Sequence, residues 1–214
     1  MKFKKIYIEI TNICNFHCSF CYDSQRPKRA MTVEEFRQVC EKVRPHTNYL
    51  YLHVMGEPLL HPYFAELMQI ATEYDFQVNI TTNGSLIPKQ VAVLKQYPAR
   101  QINLSLHDLE ENIPPQQLPD YIQRFVQFAQ EVSATTYINL RLWNRTGTAP
   151  HPFTQECLRL LEKELQLPSA LITPENLYKG IHLKKHIYLQ IADRFDWPHE
   201  TRSTKDAPKT CYAL

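Results

Sequence analysis

The 214-residue chain is long enough for one large domain with or without a small appendage, and its 43% hydrophobic and 21% charged residues suit a packed globular core. With 24 Lys+Arg against 22 Asp+Glu, a net charge of +2, no acidic or basic partner is singled out and nucleic acid is not indicated. Glu9 interrupts the apolar part of "MKFKKIYIEI" too early for a signal peptide, and no run approaches the roughly 20 apolar residues of a membrane span, so the expectation is a soluble, cytoplasmic protein with reduced thiols.

Six segments read as strands: "KIYIEI", "YLYLHVM", "FQVNITTN", "QINLSLH", "TYINLRLW" and "HIYLQI". Helical patterns fall between them. The first begins at Thr32, where Thr32 and Glu35 form a capping box and Met31 and Phe36 have staple spacing. Pro62 opens the second helix and Pro88 the third. The fourth runs from about Leu118, with Tyr121, Ile122, Phe125, Val126 and Ala129 on one face. The fifth follows Thr154, with Cys157, Leu161 and Leu165 on one face. "ENIPPQQLP" reads as a loop. Strands alternating with helices imply β–α units and a parallel sheet.

The strands also alternate internally. Ile6, Ile8 and Ile10 oppose Tyr7, Glu9 and Thr11, and Leu50, Leu52 and Val54 oppose Tyr51, His53 and Met55. Ile102, Leu104 and Leu106 oppose Asn103, Ser105 and His107, and Ile138, Leu140 and Leu142 oppose Asn139, Arg141 and Trp143. Parallel strands covered on both faces read as continuous apolar runs instead. Helices must cover the apolar face, which leaves the polar one to line a concavity. The expected fold is therefore α/β: an open partial (β/α)6 barrel with parallel strands and a polar concave interior. An antiparallel sheet with one wet face is the alternative, which the intervening helices disfavour.

The stretch "CNFHCSFC" follows the first strand, at the end where β/α folds carry their active sites. Its spacing, Cys14-x3-Cys18-x2-Cys21, offers three thiols to zinc or to an iron–sulfur cluster. His17 is a fourth zinc ligand by composition, but its adjacency to Cys18 makes convergence on one ion awkward. Haem attachment fails because Tyr22, not His, follows Cys21. Cys40 and Cys157 sit on apolar helix faces and read as core residues, and Cys211 lies far away in sequence. Three ligands then leave one iron of a cubane open.

With that loop in that context, the chain resembles the radical S-adenosylmethionine (radical SAM) superfamily from the first strand through at least "HIYLQI". The resemblance implies that Cys14, Cys18 and Cys21 hold a [4Fe–4S] cluster whose open iron is chelated by the amine and carboxylate of S-adenosyl-L-methionine. A flavodoxin or ferredoxin-type reductant would supply the electron, and reductive cleavage would give a 5′-deoxyadenosyl radical that takes hydrogen from a substrate. Phe20, just before the last cysteine, would abut the adenine. In "MGEPLLHP" Met55 replaces the first glycine of the family's Gly-Gly-Glu turn, so Gly56, Glu57 and Pro58 carry over toward the methionyl amine. Asn83 in "TTNG" would face the cofactor, Ser105 resembles a position that meets the ribose or carboxylate, and Arg141 one that reaches the cofactor carboxylate. Residues 1–195 would form the radical SAM core domain. "RFDWPHE" with the late Cys211 looks like the start of a SPASM-type extension, which makes residues 196–214 a tail and suggests a peptide or protein substrate. A non-catalytic iron–sulfur electron-transfer protein and a zinc-stabilised binding module are the competing classes.

Overall fold

The structure is a computed structural model and describes residues 2–22, 24–145, 151–167 and 180–194. The strands are β1 (Ile6–Tyr7), β2 (Tyr49–Tyr51), β3 (Gln77–Thr82), β4 (Gln101–Ser105), β5 (Tyr137–Arg145), β6 (Ile181–Lys184) and β7 (Ile187–Asp193). The helices are α1 (Val33–Val43), α2 (Phe64–Glu73), α3 (Ile87–Gln96), α4 (Leu109–Asn112), α5 (Leu118–Val132) and α6 (Pro152–Leu165). One sheet holds all seven strands in the order β1-β2-β3-β4-β5-β7-β6, with only the β6–β7 pair antiparallel. The six expected strands are thus the parallel ones, in an α/β sheet that is not closed. The tail and Cys211 lie outside the described residues.

Register follows the alternation. Ile6 pairs with Leu50, Leu50 with Val78, Ile80 with Ile102, Ile102 with Ile138 and Ile138 with Ile187, so the apolar residues of all six parallel strands share one face. The helices bury it: Phe36 of α1, Phe64 of α2 and Phe125 of α5 are among the largest fully enclosed side chains. Cys40 and Cys157 are core residues at 0% exposure. The opposite row, Tyr7–Tyr51–Asn79–Gln101–Tyr137, lies on the other face. A one-residue slip would exchange the two rows, which is why the register is firmly specified.

The capping box forms as expected, Thr32 Oγ1 accepting from Glu35 N at 3.1 Å and Glu35 Oε2 from Thr32 N at 2.8 Å. Other boundaries shift. Pro62 does not open α2; a 3-10 turn at Pro58–Leu60 comes first, and His61 then receives the Tyr63 and Phe64 N–H groups, which delays the helix to Phe64. Thr154 lies inside α6, where its hydroxyl donates to Asn144 Oδ1 at 2.7 Å instead of capping. Leu109–Asn112, at the edge of the expected loop, is helical.

Strand β6 was not expected. Its turn into β7 places Lys185 at φ 48° without the glycine or asparagine that announces such a turn. Pairing along the first strand also thins after Ile8, because Ile10 accepts from Met31 N and Thr11 bridges Ala30 on its outer side. Val54, expected among the core residues, is 50% exposed. Regular pairing of β2 stops at Tyr51 and the chain turns at Gly56 (φ 76°), so alternation ends before Val54. No helix among the described residues is long and apolar enough to cross a membrane.

Candidate active site

The three cysteines sit on the loop leaving the first strand, all as free thiols. The loop is fastened from two sides. From α4, Asn112 Nδ2 donates to Cys18 Sγ at 3.2 Å while Asn112 Oδ1 accepts from His17 N at 2.7 Å. Next to it, Glu111 accepts from Ser19 N at 2.6 Å and Ser19 Oγ at 2.7 Å. From the end of β3, Asn83 Nδ2 donates to Asn15 Oδ1 at 3.2 Å and lies 3.9 Å from Cys14 Sγ.

Gly56 brings the turn after β2 against this loop. A Cβ there would stand 2.5 Å from the Thr11 carbonyl and 2.9 Å from that of Ile13, and the backbone is in the left-handed region. Only glycine meets both demands. Glu57 N then donates to Ile13 O at 2.9 Å. The Glu57 carboxylate is 2% exposed as a residue and accepts from Thr82 Oγ1 (2.7 Å), Asn83 N (2.8 Å) and Leu59 N (2.9 Å). It works as an internal strut between the β2 turn and the end of β3, with Pro58 buried beside it.

Beneath the loop lies a cavity of about 680 Å³. Its upper wall includes Phe20, Cys21, Ser105, His107 and Asp108, and its far wall Tyr7, Tyr51, His53, Thr81 and Gln101. Val54, Arg141, Trp143 and Arg194 complete it. A ring stack crosses the upper part. Arg194 Cζ lies 5.0 Å from the Phe20 ring, Phe20 5.5 Å from His107, His107 6.1 Å from Trp143, and Arg141 Cζ 4.4 Å from Trp143. Cation–aromatic contacts of this kind hold guanidinium groups where water is scarce.

Burial sets the charge states. It pushes the Cys18 thiol up to about 12 and raises Cys14 and Cys21, with Asp108 adding to each. Such thiols deprotonate when a metal takes the proton's place. Burial also raises Asp108 to about 8, helped by Glu57 and Glu111, and lowers His53 and His107 to about 4. Glu57 is raised by burial against the pull of its three donors. Arg141 is lowered to about 10 for the same reason.

The deeper polar residues of the sheet satisfy one another. Arg100 Nη1 donates to Asn79 Oδ1 at 3.0 Å, Gln101 to Asn103 at 2.8 Å, and Asn139 to both Asn103 (3.3 Å) and Gln190 (3.2 Å). By contrast, His53 Nδ1, Arg141 Nε, Trp143 Nε1 and Arg194 Nε are buried at the cavity without a hydrogen-bond partner among the described residues. Buried polar groups are rarely left so, and four around one cavity mark a place for a ligand.

Of the residues singled out from sequence, Phe20, Cys21, Ser105 and Arg141 line the cavity. Cys14, Cys18, Gly56 and Asn83 form the loop system above it. Sequence reading passed over Asp108, Glu111, Asn112, Trp143 and Arg194. Trp143 carried a signal in its inward parity; the others follow strand ends, where alternation says nothing. These residues fit an iron–sulfur cluster and its nucleoside cofactor. Three free thiols share one loop, glycine permits close backbone approach, and unpaired donors await oxygen or nitrogen acceptors. Among the described residues no three His, Cys, Asp or Glu side chains converge as ligands of a single ion.

The model of the Radical SAM superfamily matches residues 8–138, from the first strand into β5. The chain belongs to the radical SAM superfamily. One curated relative is the tungsten-containing aldehyde ferredoxin oxidoreductase cofactor-modifying protein of Pyrococcus furiosus, 27% identical over 92 residues, which are 41% of this chain and 26% of the relative. Among solved structures, Streptococcus suis SuiB bound to S-adenosylmethionine superposes with a TM-score of 0.55 at 18% identity, covering 75% of this chain and 38% of SuiB. TYW1 with a lysine–pyruvate adduct gives 0.54 at 16% identity, covering 95% of this chain and 68% of TYW1. The matched region thus spans about a quarter of the curated relative (26%) and 38% of SuiB. At these identities the structural likeness is one of fold.

Proposed function

We propose that this radical SAM protein is an enzyme that binds a [4Fe–4S] cluster through Cys14, Cys18 and Cys21 and cleaves S-adenosyl-L-methionine reductively. The observation that carries this is the placement of three free thiols on one loop at the mouth of a cavity with unpaired donors. Bound there, the cluster and S-adenosylmethionine supply a 5′-deoxyadenosyl radical for hydrogen abstraction. The protein binds, orients and excludes water. Asn112 and Glu111 fix the loop, and Gly56 lets the Gly56–Pro58 turn offer backbone carbonyls to the methionyl amine. Asn83 and Ser105 orient the cofactor, and Phe20, held between Arg194 and His107, offers a ring to the adenine.

The electron comes from a flavodoxin or ferredoxin-type donor, and the cytoplasm suits the reduced thiols. A peptide substrate is supported by the likeness to SuiB, which has been crystallised with its precursor peptide SuiA. A SPASM-type role for the tail belongs to the same proposal.

The test is anaerobic reconstitution, then reductant and S-adenosylmethionine. We expect 5′-deoxyadenosine, lost together with cluster iron in Cys14→Ala, Cys18→Ala and Cys21→Ala. An intact cluster whose spectrum ignores S-adenosylmethionine would overturn the reading in favour of simple electron transfer, and stoichiometric zinc in place of iron would favour the binding module.

A further inference from the structure

The cysteine loop leaves the C-terminal end of the first strand, and the opposite end of the sheet carries charge that the whole-chain balance conceals. The segments that enter the parallel strands there hold Lys2, Lys4, Lys5, Arg44, Arg100 and Lys185 against Asp75 alone. No carboxylate among the described residues pairs with Lys2, Lys4 or Lys185. Arg44 donates to Asn48 Oδ1 at 2.6 Å and Arg100 to Asn79 Oδ1 at 3.0 Å, and both acceptors are neutral. The carboxylates of the adjoining helices are engaged elsewhere: Glu73 with Arg37, Glu131 with Lys95 and Glu41 with the Tyr74 hydroxyl. Among these cations opens a depression of about 310 Å³, lined by Lys2, Phe3, Lys4, Arg44 and Tyr49 and by no acid.

Rings alternate with the charges. Arg100 Cζ lies 5.4 Å from the Tyr49 ring and 5.8 Å from that of Tyr137. Tyr137 in turn stacks on His186, with centroids 4.6 Å apart and planes 23° apart. The row runs from β2 to the residue before β7, and Tyr49 belongs both to it and to the basic depression. Tyr49 is 38% exposed and Tyr137 41%. Open rings set among cations without counter-charges mark an interaction surface, and net charge says nothing of such a local cluster.

We infer that this end of the sheet binds single-stranded nucleic acid, with phosphates on Lys2, Lys4, Arg44 and Lys185 and bases stacked on Tyr49 and Tyr137. The charge selects a polyanion. The rings select one that carries open base faces, which an acidic peptide lacks and a duplex hides. The inference goes beyond the radical SAM reading and does not rest on it, since none of these six residues lines the cavity beneath the cysteines.

The test is fluorescence anisotropy of the full-length reconstituted protein with a labelled RNA of about twelve nucleotides. DNA of the same sequence, an abasic strand and a polyglutamate peptide of equal charge are the comparison ligands. We expect the RNA or the DNA to bind with an affinity that falls as salt rises, the tighter of the two naming the natural kind. The abasic strand and polyglutamate should bind at least about fivefold more weakly. Tyr49→Ala and Tyr137→Ala should each weaken binding by about fivefold or more. Lys2→Gln combined with Lys4→Gln alters only exposed side chains and should lower the slope of log affinity against log salt by roughly 1.4. Polyglutamate binding as tightly as the nucleic acids would make this a docking face for an acidic peptide and overturn the inference. So would equal binding of the abasic strand, wild-type affinity in all the variants, or no binding up to on the order of 100 μM at low salt.

Discussion

Asn112 donates to the Cys18 thiol at 3.2 Å and accepts the neighbouring His17 N–H at 2.7 Å, so one amide holds both the sulfur and the backbone that carries it. A hydrogen bond to a ligating sulfur offsets its negative charge and favours the reduced cluster. Asn112→Leu should therefore shift the reduction potential to more negative values by roughly 40 mV, the one-electron equivalent of ~1 kcal/mol. A potentiometric titration of the reduced-cluster electron paramagnetic resonance signal measures this. An unchanged potential would mean that Asn112 only fastens the loop.

Gly56→Ala should prevent the turn after β2 from seating on the first strand. The added methyl would stand 2.5 Å from the Thr11 carbonyl in a left-handed backbone. The expected result is a loss of about 1–3 kcal/mol of stability together with reduced iron per chain after reconstitution. Chemical denaturation and iron analysis give the two readings.

Glu57→Gln keeps the shape of the strut but turns an acceptor into a donor. One of the Leu59 and Asn83 N–H groups must then face an NH2 group. The cost should be about 1–3 kcal/mol, seen as a lower urea midpoint at unchanged slope.

Stability of the cluster-free protein should fall as pH rises from about 6.5 to 8. His53 and His107 stay neutral when folded down to about 4 but take protons below 6.5 when unfolded. Across that window the unfolded chain holds more protons, so their contribution to stability grows as pH rises. Asp108 acts oppositely. Folded, it keeps its proton to about 8, and unfolded it loses it near 3.8, so stability falls with rising pH between these values. Glu57, also raised, acts in the same direction as Asp108. Above pH 6.5 the histidines no longer contribute and the fall remains. Asp108→Asn should flatten the decline from pH 6.5 to 8 in a series of urea melts, and a decline that persists unchanged would count against this account.

What could be read from sequence was whatever repeats with a period. The alternation of Ile102, Leu104 and Leu106 with Asn103, Ser105 and His107 gave the sheet its inner and outer faces, and the cysteine spacing gave the loop. The alternation misled at Val54, where pairing had already ended. It was silent on β6, whose turn is made by Lys185 without a typical turn residue. Nor could it reach Asn112, which bonds a thiol 94 positions earlier in the chain. Such a contact depends on where the end of β4 delivers a four-residue helix, and that is a property of the assembled sheet.

The amides of Asn103, Asn139 and Gln190 carry a consequence of a different kind. Asn139 spends its N–H groups on Asn103 and Gln190, while Asn103 receives from both Asn139 and Gln101. Turning any one of these amides over would set two acceptors or two donors against each other, so none can flip alone. The dipoles of this network therefore have a fixed sense, written across β4, β5 and β7 at once. Gln101, the member that lines the cavity, has its amide committed to Asn103, so the face it shows there cannot rearrange alone.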